Sequence, residues 1–162
     1  MKLKKKWSQE WKPWKCIFSN GTYHSKGVAI LIRNTLNYDI NNCVSDPNGR
    51  FIIMDVTVNG EEFLIVNVYT PCVSKPKEQV EFWNQLSFHI SNMDNVFEKN
   101  IICGGDINFL MNIGLDRAGG NPSHDDNVLR AIHNFLDTFD LVDIWRVRNP
   151  HQRQYTWRQK TH

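Results

Sequence analysis

In Asn100–Asn108, read Asn-Ile-Ile-Cys-Gly-Gly-Asp-Ile-Asn, a carboxylate (Asp106) and a carboxamide (Asn108) stand two residues apart after a short apolar run. A carboxylate can accept a proton, ligate a hard cation or aim a water, and an amide can donate to a phosphate oxygen. Ile101, Ile102 and Cys103 read as a buried strand that Gly104 and Gly105 then break. On an extended backbone residues i and i+2 point to the same side, so both polar groups are expected to project from the C-terminal end of a core strand. Open α/β sheets place their sites on that rim. The alternative is a strand end closed by an Asx-turn, which Asp and Asn favour.

Other groups have weaker claims. Trp7, Trp11 and Trp14 alternate with lysines. That pattern can grip single-stranded nucleic acid by stacking and charge, or it can dock a terminal segment on a core. The histidines at 24, 89, 124, 133, 151 and 162 show no metal-ligand spacing. His124-Asp125-Asp126 looks like a metal cluster, but acidic residues in the first turn of a helix explain it more simply. No metal ligand set is read from these residues.

Several elements must position the Asp106 rim. Lys15 to Ser19 reads as a short strand, and Gly27 to Arg33 as an apolar one buried on both faces. Tyr38 to Val44 is a further strand, followed by an Asp46-Pro47-Asn48-Gly49 turn. Arg50 to Val58 and Glu62 to Tyr69 form a hairpin through Asn59-Gly60. Val80, Trp83, Leu86, Ile90, Met93 and Phe97 recur at helical spacing, predicting a helix from Pro76 to about Glu98. A second helix is expected from Ser123, with Ser123-x-x-Asp126 as a capping box, to about Phe139. The class is α/β.

The 162 residues are 41% hydrophobic and 22% charged, enough for one globular domain with a real core. Of the formal net charge of +2, residues 1–15 carry +5 (six lysines against Glu10), so the remainder carries −3. This basic N-terminal segment suits phosphates or acidic partners, or is a solvated tail. The cysteines at 16, 43, 72 and 103 show no C-x-x-C spacing and read as buried thiols of a reducing compartment. No apolar run approaches the roughly 18 residues of a membrane span, and the Lys-rich start lacks a signal-peptide apolar stretch. An intracellular protein, nuclear or cytoplasmic and neither secreted nor membrane-bound, is expected.

Five segments in one order resemble the exonuclease–endonuclease–phosphatase (deoxyribonuclease-I-like) superfamily, and within it the endonuclease domains of LINE-type, non-LTR retrotransposons. They are Ser25-Lys26-Gly27-Val28-Ala29-Ile30-Leu31; Phe63 to Pro71, ending Asn-Val-Tyr-Thr-Pro; Gly105-Asp106-Ile107-Asn108; Leu115-Asp116-Arg117; and Leu141 to Pro150 with Tyr155-Thr156-Trp157. The resemblance implies a four-layer α/β sandwich, with two packed mixed sheets flanked by helices. It also implies magnesium-dependent nicking of DNA. In that pattern Asp106 orients or deprotonates the attacking water and Asn108 donates to the phosphate as charge grows in the transition state. Tyr69 offers its phenol to a phosphate oxygen, or is a strand-end Tyr with its ring in the core. Thr156 donates to a backbone phosphate, or is simply a strand residue. Arg117 binds a phosphate as a bidentate donor, or pairs with Asp116 or Asp125.

The chain also departs from that pattern. The family's metal-binding Glu in a Gln-Glu-Thr element has no counterpart, since Gln9-Glu10-Trp11 has no strand before it. The closing Ser-Asp-His motif is likewise absent, and His162 has no Ser-Asp before it. Cys72 stands where Asn is usual. The resemblance therefore implies an internal fragment, a sandwich incomplete at both ends, with weak or absent magnesium binding and little or no turnover. DNA is the expected partner of the parent domain, and exposed sheet edges are expected to promote self-association. The alternative is a non-catalytic remnant that binds nucleic acid or protein.

Overall fold

The structure, a computed structural model, describes residues 12–22, 26–119 and 125–155. Its elements are β1 (Trp14–Ser19), β2 (Val28–Arg33), β3 (Tyr38–Ser45), β4 (Phe51–Val58), β5 (Glu61–Tyr69), α1 (Pro76–Ser91), a 3-10 turn (Val96–Glu98), β6 (Asn100–Asp106), α2 (Ile113–Asp116), α3 (Asp126–Thr138) and α4 (Ile144–Arg148). They divide into two compact units, Met1–Thr70 with Phe88–Ile107, and Pro71–Ser87 with Asn108–His162.

The first unit holds both sheets. β1 and β2 form an antiparallel pair, and the other four strands lie in the order β3-β4-β5-β6. β3 pairs antiparallel with β4 and β4 with β5, while β6 runs parallel to β5. Asn59 and Gly60 both adopt positive φ (52° and 88°), as a two-residue hairpin turn whose twist matches its strands requires. The sheets pack face to face: Ile30 and Ile32 of β2 bury against Ile52, Met54 and Val56 of β4, with Phe63 and Ile65 of β5 at the margin. β2 is not buried on both faces as expected, because only Ile30 and Ile32 are buried, while Val28, Ala29 and Leu31 are half-covered and Arg33 is exposed. A two-stranded sheet lying on a larger one has a single inner face.

The same alternation leaves part of the inner face uncovered. Register pairs Ile65 with Ile102, so both point to the inner side, yet Ile102 is 54% exposed. The opposite face, carrying Ile53, Leu64, Val66 and Val68, is fully buried. Part of the lattice of that face is ionic. Asp55 of β4 accepts from Lys99 at 2.5 Å and from Asn41 at 3.1 Å, the latter at a β-bulge of β3.

In the second unit Phe82, Trp83 and Leu86 of α1 are buried, as are Val128, Ala131, Ile132 and Phe135 of α3. The Trp83 and Phe135 rings lie 5.0 Å apart. α1 stops at Ser91 instead of running to Glu98. The Asn92 side chain takes the Phe88 carbonyl at 2.6 Å, and Asn95 turns left-handed with φ 51°. These local bonds compete with the helix ladder. Phe97, expected on the apolar stripe, is 72% exposed as a result. α3 is capped by Asp125, whose carboxylate accepts from the amides of Asn127 and Val128. The expected cap, Ser123, lies outside the described residues, as do Trp7 and Trp11.

Candidate functional site: the β5–β6 rim

Tyr69 and Asp106 are register partners at the C-terminal ends of adjacent parallel strands. Parallel pairing brings both strand ends to the same rim, and equal register aims both side chains to the same face. That face is the inner one, since Phe63, Ile65, Asn67 and Tyr69 share its parity on β5. Asp106 is exposed and Tyr69 is half-buried. The Thr70 amide donates to the Asp106 carbonyl at 2.9 Å, carrying the pairing one residue past the strands. A phenol donor and a carboxylate acceptor side by side can bracket a phosphodiester oxygen and a water.

The glycines before Asp106 do not break β6, which runs through them. Gly105 has φ +135°, and a Cβ there would lie 2.0 Å from the Val68 carbonyl oxygen. Close backbone approach, not a chain break, is what the second glycine supplies. Gly104 has nothing within 4 Å of a Cβ.

Two residues support the rim that sequence reasoning left without a role. The Arg50 guanidinium donates through Nη1 to the carbonyls of Tyr69 (3.2 Å) and Thr70 (2.9 Å) and lies 5.5 Å from the Tyr69 ring centroid. Asn67 donates from Nδ2 to the Ala29 carbonyl at 2.9 Å, tying β5 to β2. The signal for Asn67 was present: a polar residue at the inward parity of an alternating strand.

Asn108 belongs to the second unit. The extended run ends at Asp106, and Asn108 is left-handed with φ 43°. Strand alternation therefore does not set its direction, and the turn that Asn tolerates takes over. Arg117 is exposed and donates from Nε to the Gly119 carbonyl at 3.0 Å. Asp116 is taken by Arg146 instead, at 2.5 Å. Arg146 also donates to the Asn149 and Gln152 carbonyls and lies over the Trp145 ring. The Leu-Asp-Arg and Trp-Arg…Asn-Pro segments thus meet as a structural clasp. Thr156 and Trp157 lie outside the described residues.

Among the described residues there is no group of three or more His, Cys, Asp or Glu that could hold a metal. Magnesium wants near-octahedral oxygen ligands, often one or two carboxylates with substrate phosphates. Asp106 alone does not form such a site. Among the described residues no helix is long and apolar enough to cross a membrane.

No family model matches the chain. Its sequence is similar to the transposon TX1 uncharacterized 149 kDa protein of Xenopus laevis, at 27% identity over 155 residues. That match covers 96% of this chain and 11% of the relative. The fold is similar to an AP endonuclease from Archaeoglobus fulgidus, with TM-score 0.66 and 21% identity over 91% of this chain. It is also similar to D. rerio TDP2 solved with a single strand DNA product, with TM-score 0.54 and 12% identity over 80% of this chain. The chain has the exonuclease–endonuclease–phosphatase fold. Its described residues form two packed sheets and four helices, an α/β partial sandwich of that type. It spans 59% and 47% of those two structures and about a tenth of the transposon protein's length.

Proposed function

We propose that this chain is a DNA-binding part of a retrotransposon-derived endonuclease domain. In that reading the β5–β6 rim engages a phosphodiester, and the 162 residues on their own hydrolyse it little or not at all. The observation that carries it is the Tyr69–Asp106 register pair, which puts a donor and a carboxylate on one face of one rim. The fold shared with an AP endonuclease, the DNA product held by TDP2 and the transposon relative all support the same reading.

Each residue has a role in this reading. The Tyr69 phenol donates to a non-bridging phosphate oxygen. The Asn108 amide donates to an oxygen on which charge grows as water attacks in line. Asp106 orients that water and takes its proton. Arg117, with an exposed guanidinium, pairs with a neighbouring phosphate, and Thr156 donates to another. Magnesium chemistry is the family's, and the single rim carboxylate binds the ion weakly in this chain. Asp106 has no metal-ligand set around it among the described residues, and a lone base loses most of the rate because such groups act as a unit. Binding persists and weakens steeply with salt.

Supercoiled plasmid is incubated with the chain and with its Asp106→Ala variant, in magnesium and in manganese. No nicking above background is expected from either. Fluorescence anisotropy with a labelled oligonucleotide should show binding by both. Tyr69→Phe should weaken that binding about 2- to 10-fold, the worth of one hydrogen bond of about 0.5–1.5 kcal/mol. Asp106→Asn should strengthen it, since a negative charge beside the phosphate is removed. Nicking that Asp106→Ala abolishes would overturn the inactive reading. An absence of DNA binding, or binding indifferent to Tyr69 and Asp106, would overturn the site.

A further inference from the structure

Gln79 lies in the first turn of α1 and is fully buried. Its position is on the apolar stripe of the helix, one turn before Trp83 and in line with Leu86. A leucine would satisfy packing there, whereas a buried carboxamide is costly unless its hydrogen bonds are made. Both protons of its Nε2 are used. One goes to the Pro71 carbonyl at 2.8 Å and the other to the Asn108 carbonyl at 3.1 Å. Its Oε1 has no hydrogen-bond partner among the described residues. Turning the amide over would set that oxygen against two carbonyl oxygens, so the orientation is fixed by the acceptors themselves.

We propose that Gln79 is a positioning residue for Asn108, locking the left-handed turn from which the Asn108 amide is presented to a phosphate. The inference rests on the reading of Asn108 given above. Asn108 has φ 43°, a left-handed conformation that Asn tolerates but does not prefer over the right-handed and extended ones unless neighbouring bonds hold it. Its side chain can be aimed reproducibly only if the following peptide plane is fixed, and Gln79 holds the oxygen of that plane. The same amide holds the carbonyl of Pro71, so the two loop segments share one buried clamp. An unsatisfied Oε1 is tolerated because the clamp requires an amide nitrogen with two protons, which no apolar residue supplies.

The test is a double-mutant cycle on the whole chain: parent, Gln79→Met, Asn108→Ala and the pair. Methionine keeps the volume and flexibility of glutamine and removes both donors. The readouts are affinity for a labelled DNA oligonucleotide and the backbone coupling constant of Asn108 by NMR. Asn108→Ala should weaken binding roughly 2- to 10-fold. Gln79→Met should weaken it by a similar factor and shift the Asn108 coupling away from the left-handed value, and the pair should bind no worse than Asn108→Ala alone. Losses that multiply, or binding unchanged in Gln79→Met while Asn108→Ala weakens it, overturn the positioning role. If Asn108→Ala binds like the parent, the phosphate role of Asn108 has failed and the positioning role goes with it. Should Gln79→Met not fold, the parent alone decides. A hydrogen-bond scalar coupling from Gln79 Nε2 to the Asn108 carbonyl carbon, with slow exchange of that amide, supports the clamp, and fast exchange overturns it.

Discussion

Asp55 and Lys99, 44 residues apart in sequence, meet at 2.5 Å with side chains only 6% and 5% exposed. Asp55 sits in the middle of β4, and Lys99 immediately precedes β6. The pair therefore fixes where the segment entering β6 crosses the sheet, and Asn41 takes the second carboxylate oxygen. Removing one partner of a buried pair leaves a charge without compensation, typically costing about 3–5 kcal/mol. Lys99→Met and Asp55→Asn should each lower the unfolding free energy by that order. Lys99→Met combined with Asp55→Leu should recover much of the loss, because an apolar replacement of the whole pair avoids desolvating charge. Denaturant melts of the three variants check this. Equal or larger loss in the double variant would show that the pair contributes more than it costs to bury.

Gly104 and Gly105 are neighbours with opposite demands. An alanine at 105 would drive its Cβ into the Val68 backbone at 2.0 Å and force a side chain onto φ +135°, whereas a Cβ at 104 meets nothing within 4 Å. Gly105→Ala should cost on the order of 3 kcal/mol or more through strain and separation of β5 from β6. Gly104→Ala should stay within about 1 kcal/mol of the parent, since alanine also restricts the unfolded chain. Comparing the two melts checks the rim geometry without any need for activity.

The parts of this fold that were legible in the sequence are those written in local patterns. Asn59-Gly60 demanded its turn, the alternation of Phe63 to Tyr69 gave β5 its inner face, and Trp83, Leu86 and Ile90 marked α1. The order of short motifs indicated which strand ends form the rim, and the structure pairs Tyr69 with Asp106 there. What was illegible depends on partners distant in sequence. Nothing near Asp116 indicates that Arg146, 30 residues on, takes its carboxylate in place of Arg117. Likewise Gln79 reads as a flaw in an apolar stripe until the carbonyls of Pro71 and Asn108 are seen beside it. Helix ends were misjudged where an Asn or Asp side chain intervenes, as at Asn92 and Asp125, because the competing bond is a matter of conformation and not of periodicity.

The thiols separate by environment. Burial pushes the Cys103 thiol from its ordinary value near 9.0 up to about 12. The exposed Cys72 thiol is lowered, chiefly by a hydrogen bond from the Ser74 side chain. Thiolate is the reactive form, so iodoacetamide at pH 8 should label Cys72 first and Cys103 only after denaturation, as read by peptide mass spectrometry. The same shift has a stability consequence. Unfolding returns Cys103 to its ordinary value, so between about pH 9 and pH 12 the unfolded chain releases a proton that the folded chain keeps. Its contribution is intact below pH 9 and falls as pH rises through that window, by up to about 1.4 kcal/mol per unit. Cys103→Ala should flatten that part of the pH profile.

The inner face of the four-stranded sheet leaves Ile102 of β6 54% exposed, beside the half-buried Phe63 and Ile65. β6 pairs with β5 on one side and is the last strand of its sheet among the described residues. An apolar face next to an unpaired strand edge is a template for association. The chain should therefore self-associate at micromolar concentrations, with the apparent mass by light scattering rising with concentration. Ile102→Lys places a charge on the face and on the edge at once. Burying a whole isoleucine is worth about 1.5–3 kcal/mol and about half of Ile102 is left to bury, so the substitution should weaken association by roughly fourfold to fifteenfold. It should change the unfolding free energy of the monomer by only about 1 kcal/mol, because about half of Ile102 is already in water. A parent chain that stays monomeric to high concentration with a cooperative melt would show that this face does not drive association.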